Sequence, residues 1–359
     1  MKAERLALHF ADHGRSSDQG KPLKLAFSGL ASKGESLWLV NDEGASLDQL
    51  FRQPDGSFAE HRRLSLADYL ALPGEEAEEL DLESLAIEEE GLWILGSHAL
   101  VRKAPGGSAL DPDAATERLS RIEAPTSRQL LARLPLACGK DGRWQPQPPD
   151  RKERPGALVK VKRKGSQLVK QLRLDSHLGP FTALPAKENG LDMEGLAVGA
   201  SHVFLGLRGP VLRGWAVLLE LCPEPPADGR LRLRGIGTEG ERYLKHFLDL
   251  DGLGIRDLAR RGDDLILLAG PTMDHDGPQR LYRWPEALVS ARPTLVERSH
   301  LERVLDLPAP EGVDRAEGLT AMAYQGSEGL ALVYDRPAAE RRDPVAGRLC
   351  LDFYPWPAA

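Results

Sequence analysis

Asp192-Met193-Glu194-Gly195-Leu196-Ala197, followed shortly by Val203-Phe204-Leu205, is the phrase that decides the fold of this 359-residue chain. An acidic or small residue comes first, then Gly or another small or polar residue. Leu-Ala follows, then a polar turn and an apolar run. The phrase returns as Ser28-Gly29-Leu30-Ala31 before Leu37-Trp38-Leu39-Val40, and as Glu83-Ser84-Leu85-Ala86 before Leu92-Trp93-Ile94-Leu95. It returns again as Arg256-Asp257-Leu258-Ala259 before Leu265-Ile266-Leu267-Leu268, and as Glu317-Gly318-Leu319-Thr320 before Leu330-Ala331-Leu332-Val333. Two short apolar runs about a turn read as a β-hairpin. Their near-continuous apolar character suits strands buried on both faces.

The shared leucines, Leu30, Leu85, Leu196, Leu258 and Leu319, stand 55, 111, 62 and 61 residues apart. One propeller blade needs roughly 40–50 residues, with loops adding more. The expected fold is therefore all-β: a β-propeller of five recognisable four-stranded blades, forming a single domain over residues 1–359. Later strands are expected at Leu47 to Arg52, His61 to Leu66, Val217 to Leu221, Tyr243 to Leu250, Arg280 to Trp284 and Arg303 to Leu307. The last copy has one later strand, Arg348 to Tyr354, and is one short. Arg5 to Phe10 alternates and has no blade of its own, so it is expected to supply that strand and close the ring. The longest gap is read as one blade with an inserted loop and helix region at about 104–178, leaving a sixth, degenerate blade open. Gln129 to Leu136 and Ala157 to Lys162 look strand-like there, and Gln167 to Leu178 is the best helix in the chain.

Composition narrows the function. Hydrophobic residues make up 41% and charged residues 28%, with Gly 36 and Pro 27 supplying many turns. A net charge of -7 argues against nucleic acid or an anionic membrane as partner. The eight basic residues between Arg151 and Lys170, and the acidic run Glu75 to Glu79, read as solvated faces. Cys138, Cys222 and Cys350 are scattered, without metal or disulfide spacing. No secretory leader and no membrane span is readable, so a reduced, cytoplasmic protein is expected. Nucleophile-elbow, phosphate-loop, zinc-peptidase and dinucleotide motifs have no match.

In a propeller, equivalent positions at the start of the innermost strands face the channel. Here those are Ser28, Glu83, Glu194, Arg256 and Glu317, with Asp81 and Asp192 two residues ahead of two glutamates. Converging carboxylates suit a hard divalent cation, calcium or magnesium, with Asp81, Glu83, Asp192, Glu194 and Glu317 as ligands. They also suit acid–base work by carboxyls whose pKa values are split. Polar residues after the second strands, Asp42 among them, form a rim, where His98, Arg102, Arg208 and Arg213 would hold an anionic group. The competing reading makes the glutamates and arginines structural partners of each other. Asp274-His275-Asp276-Gly277 resembles part of a calcium loop but suits a hairpin turn better. Trp38, Trp93 and Phe204 occupy one repeat position and are expected between blades.

Asp192-Met-Glu-Gly-Leu-Ala, Gly206-Leu-Arg-Gly-Pro-Val-Leu-Arg-Gly-Trp-Ala, Gly254-Ile-Arg-Asp-Leu-Ala and Ala269-Gly-Pro-Thr-Met-Asp resemble a bacterial family known only as a domain of unknown function. The likeness covers nearly the whole chain. The Asp-x-Glu-Gly-Leu-Ala element is also similar to one in esterase-like phytase propellers. That likeness implies a propeller and a calcium-assisted phosphoester hydrolase. Ser28 and Arg256 in place of an acid, and Ser84 in place of Gly, depart from a uniform pattern.

Two functions follow as expectations. One is a propeller that binds a small anionic or metal-bound ligand at its channel mouth and hydrolyses an ester or phosphoester. There Glu83, Glu194, Glu317 and His98 would do the chemistry, and Arg208, Arg256, Arg213 and Asp42 would bind the ligand. The other is a non-catalytic module that docks a protein.

Overall fold

The structure, a computed structural model, describes every residue except 1, 11–24, 75–78, 107–110, 150–154, 200, 290–293, 309 and 357–359. The acidic run at 75–79, the start of the basic run at 151–170 and most of the first 20 residues fall largely outside the described residues.

Five antiparallel four-stranded blades are present. In the first three, the innermost strands are Gly29–Lys33, Leu82–Glu88 and Asp192–Gly199; in the last two they are Gly254–Arg261 and Ala316–Tyr324. Each pairs outward with the apolar run read from the repeat: Ser36–Val40, Gly91–Gly96, His202–Gly209, Asp264–Gly270 and Ser327–Tyr334. The inner strands pack in a closed circle, blade 5 against blade 1. Glu4–His9 pairs antiparallel with Arg348–Pro355 from Glu4↔Phe353 to His9↔Arg348, so the N-terminal segment is the outermost strand of blade 5. Its Leu6 and Leu8 are fully buried.

Burial explains the ring. The described core falls into five hydrophobic clusters, one at each junction between adjacent blades. Trp38 fills the junction of blades 1 and 2, Trp93 that of blades 2 and 3, and Phe204 that of blades 3 and 4. A blade's two faces both meet neighbours, which is why its central strands carry apolar residues at consecutive positions. Ser36–Val40, for example, is buried at all five positions. Short parallel strands, Arg230–Leu231 and Leu295–Val296, cover the outer edges of blades 2 and 3.

The strand-like runs expected within 104–178 are the outer strands of blade 2, Leu131–Cys138 and Ala157–Val159, while the helices there differ from the sequence reading. The longest helix among the region's described residues is Pro112–Ser120; Asp111 caps it and Pro112 opens it. The expected helix at 167–178 runs only over Gln167–Leu172. Asp175 then accepts the amides of His177 and Leu178 at 2.8 and 3.0 Å, which turns the chain out of helical register. All three cysteines are free. Among the described residues, no helix is long and apolar enough to cross a membrane.

Candidate functional site

The inner strands deliver their side chains to the axis through β-bulges. The pairing register slips between Leu82 and Ser84, between Met193 and Gly195, between Ile255 and Asp257, and between Ala316 and Gly318. The extra residues are Glu83, Glu194, Arg256 and Glu317. A bulge leaves one residue out of the ladder and re-aims its side chain. In blade 1 the equivalent Ser28 lies just before the strand and is buried. All five line one cavity of about 410 Å³ at the channel mouth, together with Asp81, Asp192, Arg128 and Arg208.

The floor of this cavity is an ionic network. Arg208, from the second strand of blade 3, reaches Asp192 at 2.7 Å and Glu194 at 2.8 Å. Arg256 reaches the other oxygen of Glu194 at 2.9 Å and is also paired with Glu317. Asp81, held at φ +51°, is bonded by Ser97 and by Arg128, the latter at 2.5 Å. The Glu83 carboxyl receives no hydrogen bond or ion pair from a described residue. Its oxygen, with one from Asp192 and one from Glu194, forms a group all within 4.8 Å of one another.

Protonation follows from this placement. Burial pushes Glu83 well up, and the neighbouring Asp81, Glu194, Asp192 and Glu317 push it further. Burial also raises Asp192, against the pull of Arg208. Glu194 is pushed up by burial and drawn back by Arg208 and Arg256, to about 7. Glu317, raised by burial and restrained by Arg256, stands at about 8. Arg208 stays firmly charged, because the surrounding carboxylates outweigh its own burial.

The wall above the floor is mixed. An insertion between the second and third strands of blade 2 leans over the cavity. It is a short ribbon, Val101–Arg102 against Ile122–Glu123, with the helix Pro112–Ser120 between. Arg102 fastens it through Glu188 and through the Leu119 carbonyl at 2.7 Å. Leu119 and Met273, both partly exposed, line the cavity, and so does the exposed Asp42.

Most residues singled out from the sequence meet here: Asp42, Asp81, Glu83, Arg102, Asp192, Glu194, Arg208, Arg256 and Glu317. Two do not, and the sequence reading of them is corrected. His98 is buried outside the cavity at φ +59°, with its ring against the Gly96 carbonyl at 2.7 Å, and burial lowers its pKa to about 4. Arg213 sits exposed at φ +52° on the turn between Leu212 and Trp215, away from the cavity. Asp274 and Asp276 are held by Arg315 at 2.8 and 2.9 Å, so that turn is an ion-paired hairpin. Sequence reasoning missed Arg128. It lies on the blade 2 insertion, which has no counterpart in the other blades, so no repeat position marks it.

Fold and floor define a class: a five-bladed β-propeller with carboxylates and guanidinium groups at its channel mouth. The chain belongs to the family described as Protein of unknown function (DUF3616), whose model matches residues 26–350. No curated protein matches it. Similar solved structures include a glutaminyl cyclase of Myxococcus xanthus, 12% identical over 99% of this chain and 100% of that one, with TM-score 0.39. An α-L-arabinanase of Cellvibrio cellulosa is 11% identical over 86% and 87%, with TM-score 0.38. PhoX of Pseudomonas fluorescens, in complex with vanadate, is 9% identical over 98% and 75%, with TM-score 0.36. Likeness at this level assigns no activity to this chain.

Proposed function

We propose that the channel mouth binds a divalent cation, calcium or magnesium, through Glu83, Asp192 and Glu194, and hydrolyses an ester or phosphoester of a small anionic ligand there. One observation carries this reading. Four carboxyls, Glu83, Asp192, Glu194 and Glu317, face two guanidinium groups, Arg208 and Arg256, leaving two formal negative charges unbalanced at the floor. Two protons or one divalent cation would balance them, and hard cations favour several carboxylate oxygens.

A bound cation would supply Lewis-acid polarisation of a substrate oxygen. The chain's own groups supply the rest. Arg208 and Arg256 hold Glu194 in place and present positive charge to an anionic oxygen. Glu317, at about 8, carries a proton at neutral pH and can give it to a departing alkoxide oxygen. The blade 2 insertion narrows access of bulk water, which strengthens each of these interactions.

The test is a melting scan of the full chain with calcium, magnesium, phosphate or EDTA, followed by an ester and phosphoester screen. Cation binding to the native state raises the melting temperature with concentration. At about 100 times Kd the gain is about 2.7 kcal/mol, and Glu83→Gln should abolish it. Indifference to every ion, with no hydrolysis above that of a Glu83→Gln/Glu194→Gln double variant, would point instead to a protein-docking module.

A further inference from the structure

Two of the five positions at the axis depart from glycine, and they depart together. The residue after each floor position is Gly29, Ser84, Gly195, Asp257 or Gly318. Glycine is needed where the inner strands crowd. A Cβ on Gly29 would stand 2.7 Å from the Glu83 carbonyl oxygen, and one on Gly318 would stand 2.8 Å from the Ser28 carbonyl oxygen. Ser84 and Asp257 are fully buried and fill the space that remains. The Ser84 hydroxyl donates to Asp257 Oδ1 at 2.6 Å. The Leu319 amide donates to Oδ2 at 2.6 Å and the Leu258 amide to Oδ1 at 2.8 Å. The Leu196 amide lies near enough to favour the charged form of the same carboxyl.

Each of these groups stands one or two residues beyond a floor residue. Ser84 follows Glu83; Leu196, Leu258 and Leu319 come two after Glu194, Arg256 and Glu317. We infer that Asp257 is the positioning residue of the floor: one carboxyl of blade 4, bonded to blades 2 and 5 and close to the Leu196 amide of blade 3, fixes the spacing of Glu83, Glu194 and Glu317. The next residue, Leu258, lines a smaller cavity of about 90 Å³ together with Leu85, Leu196 and Leu319. Glycine here would leave buried donors without an acceptor. Asparagine would offer an acceptor on one side only and turn an NH₂ toward a donor on the other.

This role rests on the floor being the ligand site, so the experiment has two arms. The first is a crystal structure of the full-length Asp257→Asn variant without added cation. The oxygens of Glu83, Asp192 and Glu194 should no longer lie within 4.8 Å of one another. Floor positions unchanged to within about 0.5 Å would overturn the inference. The second is calorimetric titration with calcium chloride. Asp257→Asn should bind at least about tenfold more weakly than wild type, as residues supporting metal ligands do. Equal affinity would overturn the inference. If wild type takes up no calcium or magnesium, the functional reading falls, and the crystal arm still decides the role of Asp257.

Should Asp257→Asn fail to fold, Ser84→Ala removes one donor and keeps every backbone bond. It should move Glu83 and weaken calcium binding, and no change in either would overturn the inference. Leu248→Ala, in the buried core between blades 3 and 4, should lower the melting temperature without touching affinity. A loss of affinity there equal to that of Asp257→Asn would show general loosening and refute a specific role.

Discussion

Glu83 occupies a part-buried site beside four other carboxyls, with no guanidinium among the described residues in contact. Its proton is therefore held more tightly in the folded chain than in the unfolded one, and the same is true of Glu194 and Glu317. The native state then binds more protons than the unfolded state above about pH 4.5, the ordinary glutamate value. The stability these groups contribute is full below that value. It is lost as pH rises through about 7 for Glu194 and about 8 for Glu317. Without cation, Glu83→Gln should accordingly raise stability at pH 8 and flatten the fall between pH 5 and 8. Melting curves in EDTA across that range measure it, and a variant slope equal to wild type would contradict the argument.

Arg208 gives the opposite case at the same scale. Arg208→Met leaves Asp192 and part of Glu194 buried without a cation beside them. Urea denaturation at neutral pH should show a loss of about 3–5 kcal/mol. The sequence exposed these residues unevenly. Glu83, Glu194, Arg256 and Glu317 were legible because they share a repeat position. His98 and Arg213 were misplaced because a left-handed backbone turn redirects a side chain, and φ cannot be read from a polar residue after a strand. The pairing of Ser84 with Asp257 was visible only as two separate departures from glycine.

Strands explain why the repeat could be read at all. Their apolar runs are short, consecutive and bounded by turns, and burial on both faces demands that pattern. Bulges were hidden, since one extra residue leaves apolar spacing nearly unchanged, yet they aim each floor side chain. The helix at 167–172 was overextended because its apolar pattern continues past the point where Asp175 captures the following amides. Glu4–His9 is the element that closes the ring, and its prediction is direct. A chain lacking residues 2–10 loses the buried Leu6 and Leu8 and exposes the edge of Arg348–Pro355. At about 1.5–3 kcal/mol per buried leucine, calorimetry should show a melting temperature lower by at least about 4–8 °C, or no cooperative transition. Unaltered melting would mean that the strand is an accessory.

Five blades around one axis turn local repetition into a site. No single hairpin could bring Glu83, Glu194 and Glu317 together, for they lie 111 and 123 residues apart and meet only because the circle closes. The same closure gathers more carboxyls than guanidinium groups at the floor, and the proposed function holds that a cation can replace the protons that balance them. Crystals soaked in manganese chloride and measured at the manganese absorption edge test this most directly. The account predicts one strong anomalous peak at about 2.0–2.6 Å from carboxylate oxygens of Glu83, Asp192 and Glu194, lost in Glu83→Gln crystals. A floor without a peak, or a peak that survives the substitution, would contradict it.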